Sequence, residues 1–152
     1  MTTLDDAYRT LADGEVSPKI DALIEAMFLA ALADGAISPD ESAKLAATVT
    51  TLTKGKIPRE AMDRKIGELT MLLGRDGRSA RFDAVKARLD PGTPRETALL
   101  LAAAITASDG EVVLKENDLL TDLAERLEIP QSRAVELVDR MARAGAASKR
   151  NA

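Results

Sequence analysis

Cysteine and histidine are both absent from the 152 residues of this chain. The lack of cysteine excludes disulfides, thiolate metal sites and cysteine nucleophiles, and the lack of histidine excludes catalytic triads, imidazole bases and imidazole metal ligands. Any functional site must therefore be built from carboxylates, hydroxyls, amides and cationic groups. Such oxygen ligands suit hard ions such as calcium, magnesium or manganese better than zinc or copper.

Aromatic residues are scarce as well, because the chain has no tryptophan and only Tyr8, Phe28 and Phe82. Alanine and leucine are abundant, whereas the β-branched and aromatic mixture that fills sheets is thin, so we predict an all-α fold. The length is that of one domain with a substantial core. We predict a single helical domain over residues 1–146 and a flexible basic tail over residues 147–152.

Long hydrophobic runs are missing too. The longest apolar stretch, residues 97–107, is much shorter than the roughly 20 residues that cross a bilayer. The first residues have neither the basic region nor the apolar region of a signal peptide. We therefore expect a cytoplasmic protein without a transmembrane segment.

The net charge of −4 is distributed unevenly along the chain. Residues 54–90 contain ten Lys/Arg and six Asp/Glu, a balance of +4, which leaves −8 on the flanking segments. One hypothesis is that this basic segment docks weakly on an acidic partner or anionic membrane through Arg75, Arg78 and Arg81. The alternative is a set of solvated helix faces. Nucleic-acid binding is not expected, because the chain is acidic and has no aromatic stacking platforms.

Seven to eight helices are predicted from apolar periodicity and from start and stop signals. The helix that Pro18 opens has apolar residues at i, i+3, i+4, i+7, i+8 and i+11, beginning at Ile20. The helix that Pro94 opens contains the nearly uniform apolar sequence LLLAAAI at residues 99–105. We expect these two helices to form the central buried pair, with their alanines allowing close backbone approach. Glycines are expected to end one helix at Gly74, and Ser79 is expected to cap the next.

A sequence motif occurs twice with an offset of 75 residues, as DGAISPDE at residues 34–41 and DGEVVLKE at residues 109–116. Each copy follows an apolar, alanine-rich stretch and precedes a leucine-bearing amphipathic one, with Leu45 and Leu120 in equivalent places. The repetition predicts two pseudo-symmetric helix-turn-helix repeats, over residues 18–54 and 94–128.

The motif has a structural interpretation. Gly35 and Gly110 can adopt the left-handed conformation that ends a helix, and Ser38 with Glu41 forms the pattern of a capping box. In the second copy Val113 replaces the capping serine, yet Glu116 is still present. A glutamate without its capping partner suggests a role common to both copies.

The motif also has a functional interpretation, since both copies match the last eight positions of the calcium-binding EF-hand loop. Asp34 and Asp109 fall at the fifth loop position, and Glu41 and Glu116 at the bidentate twelfth position. The acids of the first and third positions are missing, so an ordinary EF-hand cannot form. We predict these four carboxylates as candidate ligands of a divalent ion, completed by carbonyls, waters or the other copy.

With these paired units the chain resembles the TerB family of tellurite-resistance proteins, and also the N-terminal part of membrane-anchored DnaJ-like co-chaperones. The resemblance covers residues 18–144. It implies a seven- or eight-helix domain with pseudo-two-fold symmetry and a stress-response module that works beside calcium-binding partners and membrane-associated complexes. It also implies the acidic cluster of Asp34, Glu41, Asp109 and Glu116.

The functional expectation is a non-enzymatic, metal-binding or metal-supported adaptor for protein partners, without an organic cofactor and peripheral to the inner face of the membrane where partners are membrane-associated. Direct detoxification of tellurite is not expected, because no cysteine or histidine is present to reduce or ligate tellurium. One alternative is a purely structural helical interaction domain without metal. The other is an enzyme that uses paired carboxylates as acid and base, for which the sequence shows no companion motif.

Overall fold

The computed structural model describes residues 3, 7, 9, 18–32, 38–106 and 118–150, and these residues contain seven helices and no strand. The all-α prediction is confirmed. The helices are α1 (Pro18–Ala30), α2 (Pro39–Leu52), α3 (Arg59–Asp76), α4 (Arg78–Arg88), α5 (Thr93–Thr106), α6 (Asp118–Arg126) and α7 (Gln131–Arg150).

The two predicted central helices, α1 and α5, are buried and share the most extensive helix–helix contact of the described residues. All side chains from position 22 to 30 of α1 and from position 97 to 103 of α5 are almost inaccessible to solvent. Alanines at 22, 26, 98, 102 and 103 lie in these stretches, which is consistent with close backbone approach. The other helices surround the pair: α4 packs on α1, α7 packs on α5, and α2 packs on α3.

Helices α2 and α6 end in the same way, in a Schellman motif whose left-handed residue is not glycine. Lys54 has φ 55° and Glu128 has φ 58°. After α6, the N–H of Ile129 donates to the carbonyl of Ala124 at 3.0 Å, which satisfies a carbonyl that the helix leaves unpaired. The charged side chains of Lys54 and Glu128 at these positions are both exposed to solvent.

The junction between α3 and α4 differs from the prediction. Helix α3 continues through Gly74 to Asp76, and Ser79 lies inside α4 instead of capping it. Gly77 alone makes the turn with φ 84°, since its N–H donates to the Leu73 carbonyl at 2.9 Å and its own carbonyl accepts from Arg81 N–H at 3.1 Å. The sequence does not show whether Gly74 or Gly77 makes this turn. Of these two glycines, only Gly77 has a positive φ.

The pseudo-two-fold relation of the repeats stays a prediction, because both repeat turns, residues 33–37 and 107–117, lie outside the described residues. Burial within the described residues does correspond at the offset of 75, with Leu45 and Leu120 both fully buried. Helix α7 extends to Arg150, through residues 147–150 of the predicted tail. Within the described residues, no helix has both the length and the hydropathy that a membrane-spanning segment requires.

The central pair of helices should dominate stability. Leu99→Ala removes a fully buried side chain of α5 and should cost about 2–5 kcal/mol of unfolding free energy, because it leaves a cavity that the core fills only partly. Lys44→Ala is the control, since this α2 side chain is exposed, and its cost should stay within about 0.5 kcal/mol. Urea unfolding measures both. Similar costs for the two variants would contradict the assignment of α5 to the centre.

Candidate functional site

Of the four predicted metal ligands, only Glu41 lies in the described part of the chain. Asp34, Asp109 and Glu116 fall in residues 33–37 and 107–117, outside the described residues. Glu41 is the third residue of α2, and its backbone N–H donates to the Ser38 hydroxyl oxygen at 3.1 Å. This bond is the first half of the predicted capping box.

The Glu41 carboxylate is partly buried, and its Oε2 atom is inaccessible to solvent without any hydrogen-bond partner. The described residues contain one other such side-chain oxygen, Oγ1 of Thr50 in the same helix. A buried polar atom without a partner costs free energy, about 1–3 kcal/mol for a neutral group and more for a charged one. Oε2 is therefore an acceptor that a cation could satisfy.

No group of three or more Asp or Glu residues that could hold a metal ion occurs within the described ranges. A cluster of three or more acids around Glu41 would thus have to include residues outside the described ranges, among which the sequence analysis predicts Asp34, Asp109 and Glu116. The donor atoms are all carboxylate oxygens. This chemistry fits calcium, magnesium or manganese.

A second acidic site, which the sequence interpretation missed, is the carboxylate of Glu25 in the middle of α1. Glu25 is 1% exposed and receives two hydrogen bonds from Arg81, from Nε to Oε2 at 2.7 Å and from Nη2 to Oε1 at 2.8 Å. Arg88 Nη2 donates a further bond to Oε1. A buried carboxylate needs such pairing because desolvation of an isolated charge is very costly.

The network continues from Glu25 to the protein surface through Asp76. Arg81 Nη1 donates to Asp76 Oδ2 at 3.1 Å, and Arg75 binds the same carboxylate through Nε at 2.7 Å and Nη2 at 3.1 Å. The hydrogen bond from Arg75, with that from Arg81, lowers the pKa of Asp76 to about 2. The hydrogen bond to Glu25 raises the pKa of Arg81. Both Glu25 oxygens are occupied by guanidinium groups, so we assign this site to structure.

Several basic residues of the segment 54–90 pair with acids of the flanking segments. These pairs are Lys65–Asp21 at 2.9 Å, Arg78–Asp122 at 3.0 Å, Lys86–Glu128 at 2.6 Å, and Arg81 and Arg88 with Glu25. Of the three arginines expected at a docking face, Arg81 is largely buried, whereas the side chains of Arg75 and Arg78 are 70% and 41% exposed, and Arg78 pairs with Asp122. Several positive charges of residues 54–90 are thus neutralised by ion pairs within the fold.

Other arginines hold helix ends together. Arg95 of α5 donates through Nε to the Leu89 carbonyl at 3.0 Å and through Nη1 to the Leu127 carbonyl at 3.3 Å. These carbonyls lie at the ends of α4 and α6, where a cation is favourable. Arg78 and Arg126 lie over the ring of the buried Phe82, at 5.3 and 5.9 Å from its centroid.

A pocket of about 300 Å³ lies between α6 and α7. It is lined by Thr121, Ala124, Glu125, Ile129, Gln131 and Ala134. Glu125 is the one ionisable residue of this lining, so the pocket does not present the paired carboxylates that acid–base catalysis would use.

Comparison with protein-family models, with curated proteins and with solved structures gave no match in any of the three searches.

The Glu25 pairing predicts an asymmetric response to mutation. Glu25→Ala leaves Arg81 and Arg88 without their shared acceptor and should cost about 3–5 kcal/mol of unfolding free energy. The triple variant Glu25→Leu, Arg81→Leu, Arg88→Met removes all three charged groups and should lie within about 1–2 kcal/mol of the parent or above it. Denaturant unfolding distinguishes the two. A triple variant as unstable as Glu25→Ala would show that the cost comes from lost packing and not from stranded charge.

The lowered pKa of Asp76 predicts a pH-dependent contribution to stability. Because the folded-state pKa is about 2, below the ordinary value of the unfolded chain, ionised Asp76 stabilises the fold above about pH 4, and this contribution disappears as the pH falls toward about 2. The stability difference between the parent and Asp76→Asn should therefore be constant near neutral pH and shrink below about pH 4. Urea titrations at successive pH values measure it. A difference that grows on acidification would contradict the assignment.

Proposed function

We propose that the protein is a TerB-like, non-enzymatic stress-response module that acts as a metal-binding or metal-supported adaptor for partner proteins. Under this proposal it works in the cytoplasm, including the inner face of the membrane where its partners are membrane-associated. The divalent ion is calcium, magnesium or manganese, and the ligands are Asp34, Glu41, Asp109 and Glu116. Tellurite resistance belongs to the proposal through the family resemblance alone.

The observation that carries the metal-binding part is the unpartnered, buried Oε2 atom of Glu41. The Ser38 hydroxyl already caps α2 by accepting from the Glu41 backbone N–H. The side chain of Glu41 is thus not needed for that bond, and one of its oxygens lacks any partner. A hard cation would supply the missing interaction, and Asp34 is close to it in sequence.

The second candidate function is a purely structural helical interaction domain without metal. It is favoured by the observed Ser38 cap, which accounts for the serine of the first motif copy by helix termination alone. An enzyme using paired carboxylates is less well supported. The pocket between α6 and α7 contributes the single carboxylate of Glu125, and the Glu25 carboxylate is saturated by arginines.

Thermal unfolding in the presence of divalent ions tests the metal-binding proposal. Calcium, magnesium or manganese at about 100 times the dissociation constant should stabilise the fold by about 2.7 kcal/mol and raise the melting temperature accordingly. Glu41→Gln and Glu116→Gln should each remove most of this gain, because an amide is a poorer ligand than a carboxylate for a hard cation.

Asp83→Asn provides the matched control, because Asp83 is an exposed helical acid on α4, outside both copies of the motif. The ion-induced rise should persist in that variant. A melting temperature of the parent that millimolar divalent ions leave unchanged would refute the metal site and favour the structural interaction domain.

A further inference from the structure

The outward face of α3 carries an unusual combination of small and apolar residues. Met62, Ile66 and Leu69 bury the inner face of this helix. Gly67, Met71 and Gly74 follow the spacing i, i+4, i+7 and share one exposed stripe on the opposite side. Among the described residues, Met71 is the exposed large hydrophobic side chain, at 76%.

No neighbouring atom of the described fold requires a glycine at position 67 or 74. A Cβ atom built at Gly67 or at Gly74 would meet nothing within 4 Å. Each glycine in the interior of a helix nevertheless costs about 1 kcal/mol relative to alanine. Close approach of a second backbone from outside gives such glycines a physical reason.

Charge alternates along one edge of the stripe. Glu60, Arg64, Glu68 and Arg75 are all exposed and lie on the same side of α3. When two copies of α3 pair in antiparallel orientation about their middles, Glu60 of one copy lies opposite Arg75 of the other, and Arg64 lies within one helical turn of Glu68. Two-fold symmetry makes each pair twice. Parallel pairing would instead place residues of the same charge at the same level.

Existing contacts leave these side chains available. Arg75 uses Nε and Nη2 to bind Asp76, so its Nη1 is directed to no bond within this pair. Antiparallel pairing also sets the helix dipoles favourably. Gly67 has no side chain and so leaves a gap, or notch, on the surface of α3. In the pair, Met71 of one copy packs within one turn of this notch on the other copy, which removes the Met71 side chain from water.

We propose that the outward face of α3 is the interface of an antiparallel homodimer. Met71 and Gly67 form its apolar centre, and the charged edge of Glu60, Arg64, Glu68 and Arg75 sets its orientation. The inference is independent of the metal site, because α3 contains none of the four predicted ligands.

Sedimentation equilibrium of the full chain over a range of concentrations tests this interface. The parent should show a reversible monomer–dimer equilibrium that weakens with added salt. Glu68→Arg should raise the dimer dissociation constant about tenfold or more, since it places like charges together. The charge-swap variant Arg64→Glu, Glu68→Arg should restore dimerisation to within about threefold of the parent. Asp83→Arg, an exposed change on α4, is the matched control and should leave it unchanged.

A second variant separates the interface from the helix itself. Gly67→Leu should raise the unfolding midpoint of the monomer through higher helix propensity, and it should at the same time weaken the dimer by filling the notch. A purely local effect would move only the unfolding midpoint. A parent that remains monomeric at all concentrations, or a dimer that Glu68→Arg and the control weaken equally, would overturn the proposal.

Discussion

The burial of one charged residue in the central helix constrains the arrangement of everything around it. Glu25 lies in a stretch of α1 that is otherwise apolar and fully buried. A carboxylate in that environment requires donors on both oxygens, and α4 supplies them through Arg81 and Arg88. Because these arginines are seven residues apart, they lie on one face of α4 and fix its rotation. Phe82 and Val85 of the same helix are then directed into the core.

Basic and acidic residues that are separated along the chain form ion pairs with one another in the fold. The basic segment 54–90 forms α3 and α4, and the acids that neutralise several of its cations come from α1, α6 and the turn after α6. Read from the sequence alone, the same distribution of charge suggests a basic surface for an external partner. Partly exposed pairs such as Lys86–Glu128 contribute little individually, whereas loss of one member of the buried Glu25 cluster would leave the other charges without their partner.

Local patterns in the sequence predicted the local features of this fold. The apolar periodicity of α1 and the uniform apolar run of α5 identified the central pair, since burial of these faces admits few alternatives. Ser38 was correctly predicted as a cap because capping depends on the next three residues alone. The α3–α4 boundary was misplaced, because the conformation of Gly77 depends on how the two helices pack and not on its neighbours in sequence.

The Glu25 cluster could not be predicted from local pattern for a related reason. One acidic residue does not disturb the periodicity of an apolar helix, and its partners lie 56 and 63 residues further along the chain. Arg81 and Arg88 share one helix face, but many exposed arginines have that spacing. The candidate metal site stays a prediction, because among the described residues Glu41 is its one member.

Glu25 and Glu41 show how the surroundings of a carboxylate oxygen that is shielded from water indicate its role. Guanidinium groups satisfy both oxygens of Glu25, which is a structural role for this carboxylate. Oε2 of Glu41 is equally shielded from water and has no donor, an arrangement that costs stability unless something else binds there. Local rules of packing are most often broken at functional sites, where a ligand completes the interactions. The proposed function therefore rests on Glu41, whereas Glu25 is assigned to the packing of α4 on α1.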